Sequence, residues 1–140
     1  MQKTNKSNLQ WDDLEDFVHV GAKISKPVIT INPNSTITLN AGFIHLAKSQ
    51  ILDNEYVHLS YSKKNEAVVF EFTKNSKQEG AIKMTRQINI AISARSFFNY
   101  YLIDIDSAKG KYAPELVEIS GKGARWVLFL NKKSMIKTDK

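Results

Sequence analysis

At 140 residues, 42% hydrophobic and 24% charged, the chain is sized for one compact domain, or for two small halves sharing a core, and its composition argues against wholesale disorder. No apolar run approaches the ~20 residues that a membrane-spanning helix needs, and the opening MQKTNKSNLQ lacks the apolar segment of a signal peptide. Cysteine is absent, which removes disulfides and thiolate metal sites, and the expected address is cytoplasmic.

The net charge of +6 is unevenly placed. Residues 1–26 balance Lys3, Lys6, Lys23 and Lys26 against Asp12, Asp13, Glu15 and Asp16, so the whole excess, 16 basic against 10 acidic groups, falls in 27–140. A basic body of this kind attracts polyanions, nucleic acid first among them.

In chain order, residues 1–26 read as a polar tail followed by a short acidic amphipathic helix, WDDLEDFVHV. There Trp11, Leu14 and Val18 share one face, with the acids in the first turns. Such a helix caps the open end of a sheet or barrel, or holds a protein partner. Gly21 ends it, and Pro27 disfavours helix at Lys26. From Val28 the period becomes that of strands: VITINPNSTITL predicts a hairpin turning through Asn32–Ser35. Asn40 is then the expected N-cap of a helix through about Gln50, burying Phe43, Ile44 and Ala47. A second hairpin follows, with Val57, Leu59 and Tyr61 alternating on one strand and Val68, Phe70 and Phe72 on the other. KNSKQEG is a polar linker.

The second half repeats this order. With a shift of 53 residues, Val28–Ile31 falls on Ala81–Met84, Ile37 on Ile90, Leu39 on Ile92 and Asn40 on Ser93. Ser93 is thus the expected cap of a second helix, Ala94 to about Ile103, with Phe97, Phe98 and Tyr101 inward. KYAPELVEISGKGARWVLFL supplies the closing hairpin, turning at Gly121–Gly123, where Tyr112 answers Tyr56 and Leu130 answers Phe72. The expected fold class is a β-rich α+β domain over 27–130. It contains two β-β-α-β-β repeats (27–73 and 80–130) packed as an intrachain pseudo-dimer, after the short N-terminal helix and before a basic flexible tail, 131–140. A single repeat of this length would struggle to bury enough apolar surface alone.

The segment STITLNAGFIHLAKSQILDNEYVHLSY, with Asp53–Val57 entering the third strand, resembles the AbrB/MazE-like swapped-hairpin domain; two copies in one chain resemble its tandem, MraZ-type relatives. The resemblance implies interlocking hairpins and DNA binding through basic hairpin groups. The family's proline after the second strand is Asn40 or Ser93 here, its glycine before the third strand is Asn54, and its helix arginine is answered only by Arg95.

For DNA binding the expected phosphate contacts are Lys83 and Arg86 on the first hairpin of the second copy, Arg95 at the start of its helix, Lys63, Lys64, Lys74 and Lys77 in the loops of the first half, and Lys122 and Arg125 on the last hairpin. The function expected from this set is a small non-enzymatic DNA-binding protein, a transcriptional regulator of the AbrB-like kind. One alternative is a protein-interaction module, antitoxin-like or a phage–host partner. Another is a single-strand binder using Tyr100, Tyr101 and Tyr112 near Lys109 and Lys111. Pairing of the whole unit as a homodimer stays open. Catalytic, cofactor and metal sites are not expected: His19, His45 and His58 lack metal-ligand spacing, no serine stands in a nucleophile elbow, and Asp104 and Asp106 are explained by a helix end.

Overall fold

The computed structural model describes residues 11–14 and 26–132. Ten strands run β1 Ile29–Ile31, β2 Thr36–Leu39, β3 Tyr56–Ser62, β4 Ala67–Thr73, β5 Ile82–Lys83, β6 Thr85–Arg86, β7 Ile90–Ser93, β8 Gly110–Tyr112, β9 Glu115–Ile119 and β10 Gly123–Phe129. Between them lie four short helices, α1 Ala41–Leu46, α2 Lys48–Ile51, α3 Arg95–Tyr100 and α4 Ile105–Ala108, and a 3-10 turn, Leu130–Lys132, follows. Strand alternation explains the core. Ile29, Ile31, Ile37 and Leu39 are fully buried, while Thr30, Thr36 and Thr38 point away from that core. The first hairpin is tied at its tip by the Asn32 side-chain amide, which donates to the hydroxyls of Thr36 and Thr38, both at 2.9 Å.

The protein is a mixed α+β, strand-rich structure with two five-stranded antiparallel sheets. The first has the order β6-β7-β2-β1-β8 and the second β5-β3-β4-β10-β9. Each takes one hairpin from before residue 74 and one from after it. Their edges run into one another along the chain: Met84 alone separates β5 from β6, and Ala113–Pro114 separate β8 from β9. One apolar interior is enclosed, with Phe43, Phe70, Phe98 and Tyr112 among its largest fully buried side chains.

The register between the hairpins is specific. In the first sheet Thr38 lies opposite Ala91, 53 positions along the chain. In the second, Val69 lies opposite Val127, 58 positions along. Ile29 pairs with Tyr112, and Ile82 pairs with Val57. Tyr112 therefore takes the place relative to Ile29 that Val57, not Tyr56, takes relative to Ile82.

Several local expectations are corrected. Trp11–Leu14 form a hydrogen-bonded turn with Trp11 64% and Leu14 68% exposed, so neither packs on a sheet; the rest of the expected N-terminal helix lies outside the described residues, as does 133–140 of the expected tail. The helix after Asn40 breaks at Ala47 into α1 and α2. The strand expected at Ala81–Met84 is split, because Lys83 pairs with Tyr56 in one sheet whereas Thr85 pairs with Ala91 in the other. Ser93 ends β7 rather than capping α3, whose cap position, Ala94, offers no side-chain bond. That helix stops at Tyr100, not Ile103, and leaves Tyr101 41% exposed.

Candidate functional site

The antiparallel pairing of β4 with β10 decides where the basic hairpin residues go. Exposed Lys63 and Lys64 occupy the β3–β4 turn at one end of the second sheet. Lys122, in the β9–β10 turn, lies at the opposite end, and exposed Lys74 and Lys77, which follow β4, leave from that same end. Lys83 joins them, because Tyr56 pairs with both Lys83 and Thr73. Arg125 on β10 is half-buried and donates to the Ala124 carbonyl at 3.2 Å. Arg95 opens α3, away from these groups along the chain; a six-residue helix adds little dipole of its own. The described residues contain two ion pairs, Lys109–Asp106 and Lys132–Glu115, each at 3.9 Å, so none of the nine expected phosphate contacts is paired with a carboxylate of the described residues.

Arg86 is occupied otherwise. Its guanidinium donates to the Ile51 carbonyl at 2.7 Å and also to the Asn54 carbonyl. The last carbonyls of a helix have no partner within it; at the end of α2 the Ile51 carbonyl accepts from Arg86 as well as from Asn54 N–H at 3.2 Å, and Arg86 also ties down the Asn54 carbonyl in the loop beyond. This role is invisible in sequence because the partners lie 35 and 32 residues away. At the other end of the same helical segment, the Asn40 side-chain oxygen accepts from Phe43 N–H at 2.9 Å and Val28 N–H at 3.0 Å, and its amide donates to the Lys26 carbonyl at 2.8 Å.

A cleft of about 640 Å³ opens between α3, β3 and the segment entering β5. Phe97, Tyr100 and Tyr101 form its aromatic side, and His58, Glu79 and Ser96 supply polar side chains. Gly80 is held at φ +83°, where a side chain would be strained, and a β-carbon there would stand 3.4 Å from the His58 ring. Tyr101 is fixed by three rings: Phe97 edge-on with centroids 5.2 Å apart, Tyr100 edge-on at 4.8 Å and Tyr61 tilted at 5.3 Å. Tyr100 is 78% exposed. Nothing in the sequence joined these elements; the grouping depends on β5 pairing with β3.

The end of α3 fixes where the tyrosines stand. Ile103 N–H donates to the Phe98 carbonyl at 2.9 Å and Leu102 N–H to the Asn99 carbonyl at 3.2 Å, the paired bonds of a Schellman stop. The left-handed residue of that motif, usually glycine, is Leu102 at φ 56°, and its side chain is 89% exposed. Leu102 thus meets both a steric penalty and water.

His58, Glu79 and Ser96 make no side-chain hydrogen bond to one another or to other described residues, so the serine–histidine–carboxylate relay that their types bring to mind is not assembled. Asp104 accepts from the Asp106 N–H and from the Ser107 hydroxyl and caps α4, in place of the expected helix end. Tyr112 is corrected as a base-stacking residue: it is 1% exposed, its hydroxyl donates to the Ala108 carbonyl, and burial pushes its pKa up to about 12. Among the described residues no group of three or more His, Asp or Glu side chains is placed to hold a metal, and no helix is long and apolar enough to cross a membrane. No protein-family model, curated protein or solved structure matches the chain.

Proposed function

We propose that the chain is an intrachain pseudo-dimer of two swapped-hairpin halves, of the tandem AbrB/MazE-like kind, and that it binds duplex DNA without catalysing a reaction. The register supports the pseudo-dimer. Where a two-fold axis passes between antiparallel strands, the residue on the axis faces its own equivalent. Thr38 faces Ala91 across the same interval of 53 that relates the two copies of the sequence phrase, and Val69 faces Val127 across the interval of 58 that relates Phe72 to Leu130. The edge pairs answer one another as well, Ile29 with Tyr112 and Ile82 with Val57, across intervals of 53 from Ile29 to Ile82 and 55 from Val57 to Tyr112.

The observation that carries the DNA reading is the position of Lys64 and Lys122. They too are 58 apart, so they sit on equivalent tips at opposite ends of the second sheet, exposed and without an ion pair among the described residues. Each lies five residues before its axial valine, which at ~3.3 Å per residue separates the tips by about 30 Å. A duplex repeats its backbone in about 34 Å, so two tips related by a two-fold axis meet equivalent phosphates about one turn apart. Lys63, Lys74, Lys77, Lys83, Arg95 and Arg125 add to the positive field, while Arg86 serves the helix end instead.

Fluorescence anisotropy on a random duplex of ~20 base pairs, repeated across salt concentrations, tests this reading. Affinity should fall steeply with salt, and Lys64→Ala and Lys122→Ala should each lower the slope of log affinity against log salt by about one, additively. No affinity at low ionic strength would overturn it and favour a protein-binding module.

A further inference from the structure

The aromatic cleft has no part in gripping a duplex, and its chemistry differs from that of the tips. Its volume of about 640 Å³ lies within the ~300–1,000 Å³ range of small-ligand sites. One side is aromatic, with Tyr100 largely in water and Tyr101 immobilised behind it. The facing side presents His58 and Glu79, and α3 itself adds Ser96; these side chains have no hydrogen-bond partner among the described residues. A planar ligand with polar edges satisfies both sides: its face stacks on a tyrosine and its edge meets the free donors and acceptors. A lipid or aliphatic ligand would leave the polar groups unpaired, and a bare anion would leave the rings unused and face Glu79.

We propose that this cleft takes one unpaired nucleobase from a nucleic-acid strand. Glu79 suits the exocyclic amine of such a base, an amine of the cytosine type being a usual partner for a carboxylate, and His58 and Ser96 serve its other edge atoms. Connection to a strand follows from the neighbours of the lining residues. Arg95 precedes Ser96 and Lys83 follows Ile82, so a cation stands in sequence next to each side of the cleft, for the phosphates flanking the base. The stop at Leu102 holds the platform in place at a cost to the fold, as a binding surface tolerates and a purely structural helix end does not require. This inference rests on the nucleic-acid reading above for the strand and shares Lys83 and Arg95 with it, but the residues that hold the base are different.

Anisotropy with a labelled deoxycytidine oligomer of about ten nucleotides, set beside the ~20-base-pair duplex, separates the two. Tyr100→Ala, at an exposed position, should weaken oligomer binding about tenfold and leave duplex affinity and both salt slopes unchanged. Glu79→Gln should also weaken the oligomer while reducing repulsion of phosphate, so any general electrostatic account expects the opposite sign. Failure of the wild-type protein to bind the oligomer, or an equal loss for oligomer and duplex in Tyr100→Ala, would overturn the base site. Free cytidine monophosphate competing as strongly, nucleotide for nucleotide, as the oligomer would overturn its connection to a strand. Duplex binding absent with oligomer binding present and sensitive to Tyr100 would remove the duplex reading and leave the cleft standing.

Discussion

The two halves of the molecule meet the same folding problem with different residues. In residues 27–73 the first and third strands, β1 and β3, are unbroken, and Asn40 fixes the strand-to-helix junction with three hydrogen bonds. In residues 80–130 the corresponding strands are split, at Met84 and at Ala113–Pro114, and the junction at Ala94 has no side-chain cap. Proline cannot donate to a ladder, and its position lets one chain segment leave the first sheet as β8 and enter the second as β9. The lesson is that alternating apolar positions are common to both halves, while capping and strand continuity differ between them.

Removing a junction should break this comparison most sharply. Asn40→Ala leaves two N–H groups and one carbonyl unpaired and should cost about 2–3 kcal/mol in denaturant unfolding, while Ser93→Ala, at the matching position, should stay within about 0.5 kcal/mol of wild type. The second contrast is Tyr112 against Val57. Tyr112 keeps its proton in the folded state up to about pH 12, above the ordinary value of 10.0. Below pH 10 both states are protonated; between about pH 10 and 12 the unfolded chain loses the proton first, so stability should fall by about 2 kcal/mol. Unfolding followed against pH should show that slope in the wild type and lose it in Tyr112→Phe.

Smaller effects test the helix ends. Arg86→Ala removes a second donor from the Ile51 carbonyl, which keeps Asn54 N–H, and the side-chain donor from the Asn54 carbonyl; it should cost about 1 kcal/mol, with the salt slope of duplex binding unchanged. A slope lower by about one would return Arg86 to the phosphate set. Leu102→Gly relieves the left-handed leucine and should stabilise by about 0.5–1 kcal/mol, with no counterpart gain at Leu52, the αR residue that ends α2.

Sequence reading reached the strands and hairpins because their alternation is local: Val57, Leu59 and Val68, Phe70 fall on the buried face as their spacing requires. Asn40 was legible as a cap because its type and place agree. Ser93 is not a cap and Tyr101 is not a core residue for one reason: residue type and helical spacing do not say where the chain turns, and α3 begins after Ala94 and stops at Tyr100, before the left-handed Leu102. The basic tips were legible as turn residues. That Arg86 would bind the end of α2, and that His58, Glu79 and Ser96 would share a cleft, depends on β5 pairing with β3, a contact between residues far apart in the chain that no short pattern carries.

Because the chain has no cysteine, engineered cross-links report on the register without interference. Thr38→Cys with Ala91→Cys, and separately Val69→Cys with Val127→Cys, should each oxidise to a disulfide within one chain, read by mass spectrometry of the unreduced protein, since paired residues of antiparallel strands hold their β-carbons ~4.5–5.5 Å apart. Both bonds forming in folded protein is the expected result. Cross-links only between chains, or faster oxidation when Ala91 is replaced as partner by Ile92→Cys, would contradict the interlocked two-fold plan on which the account stands.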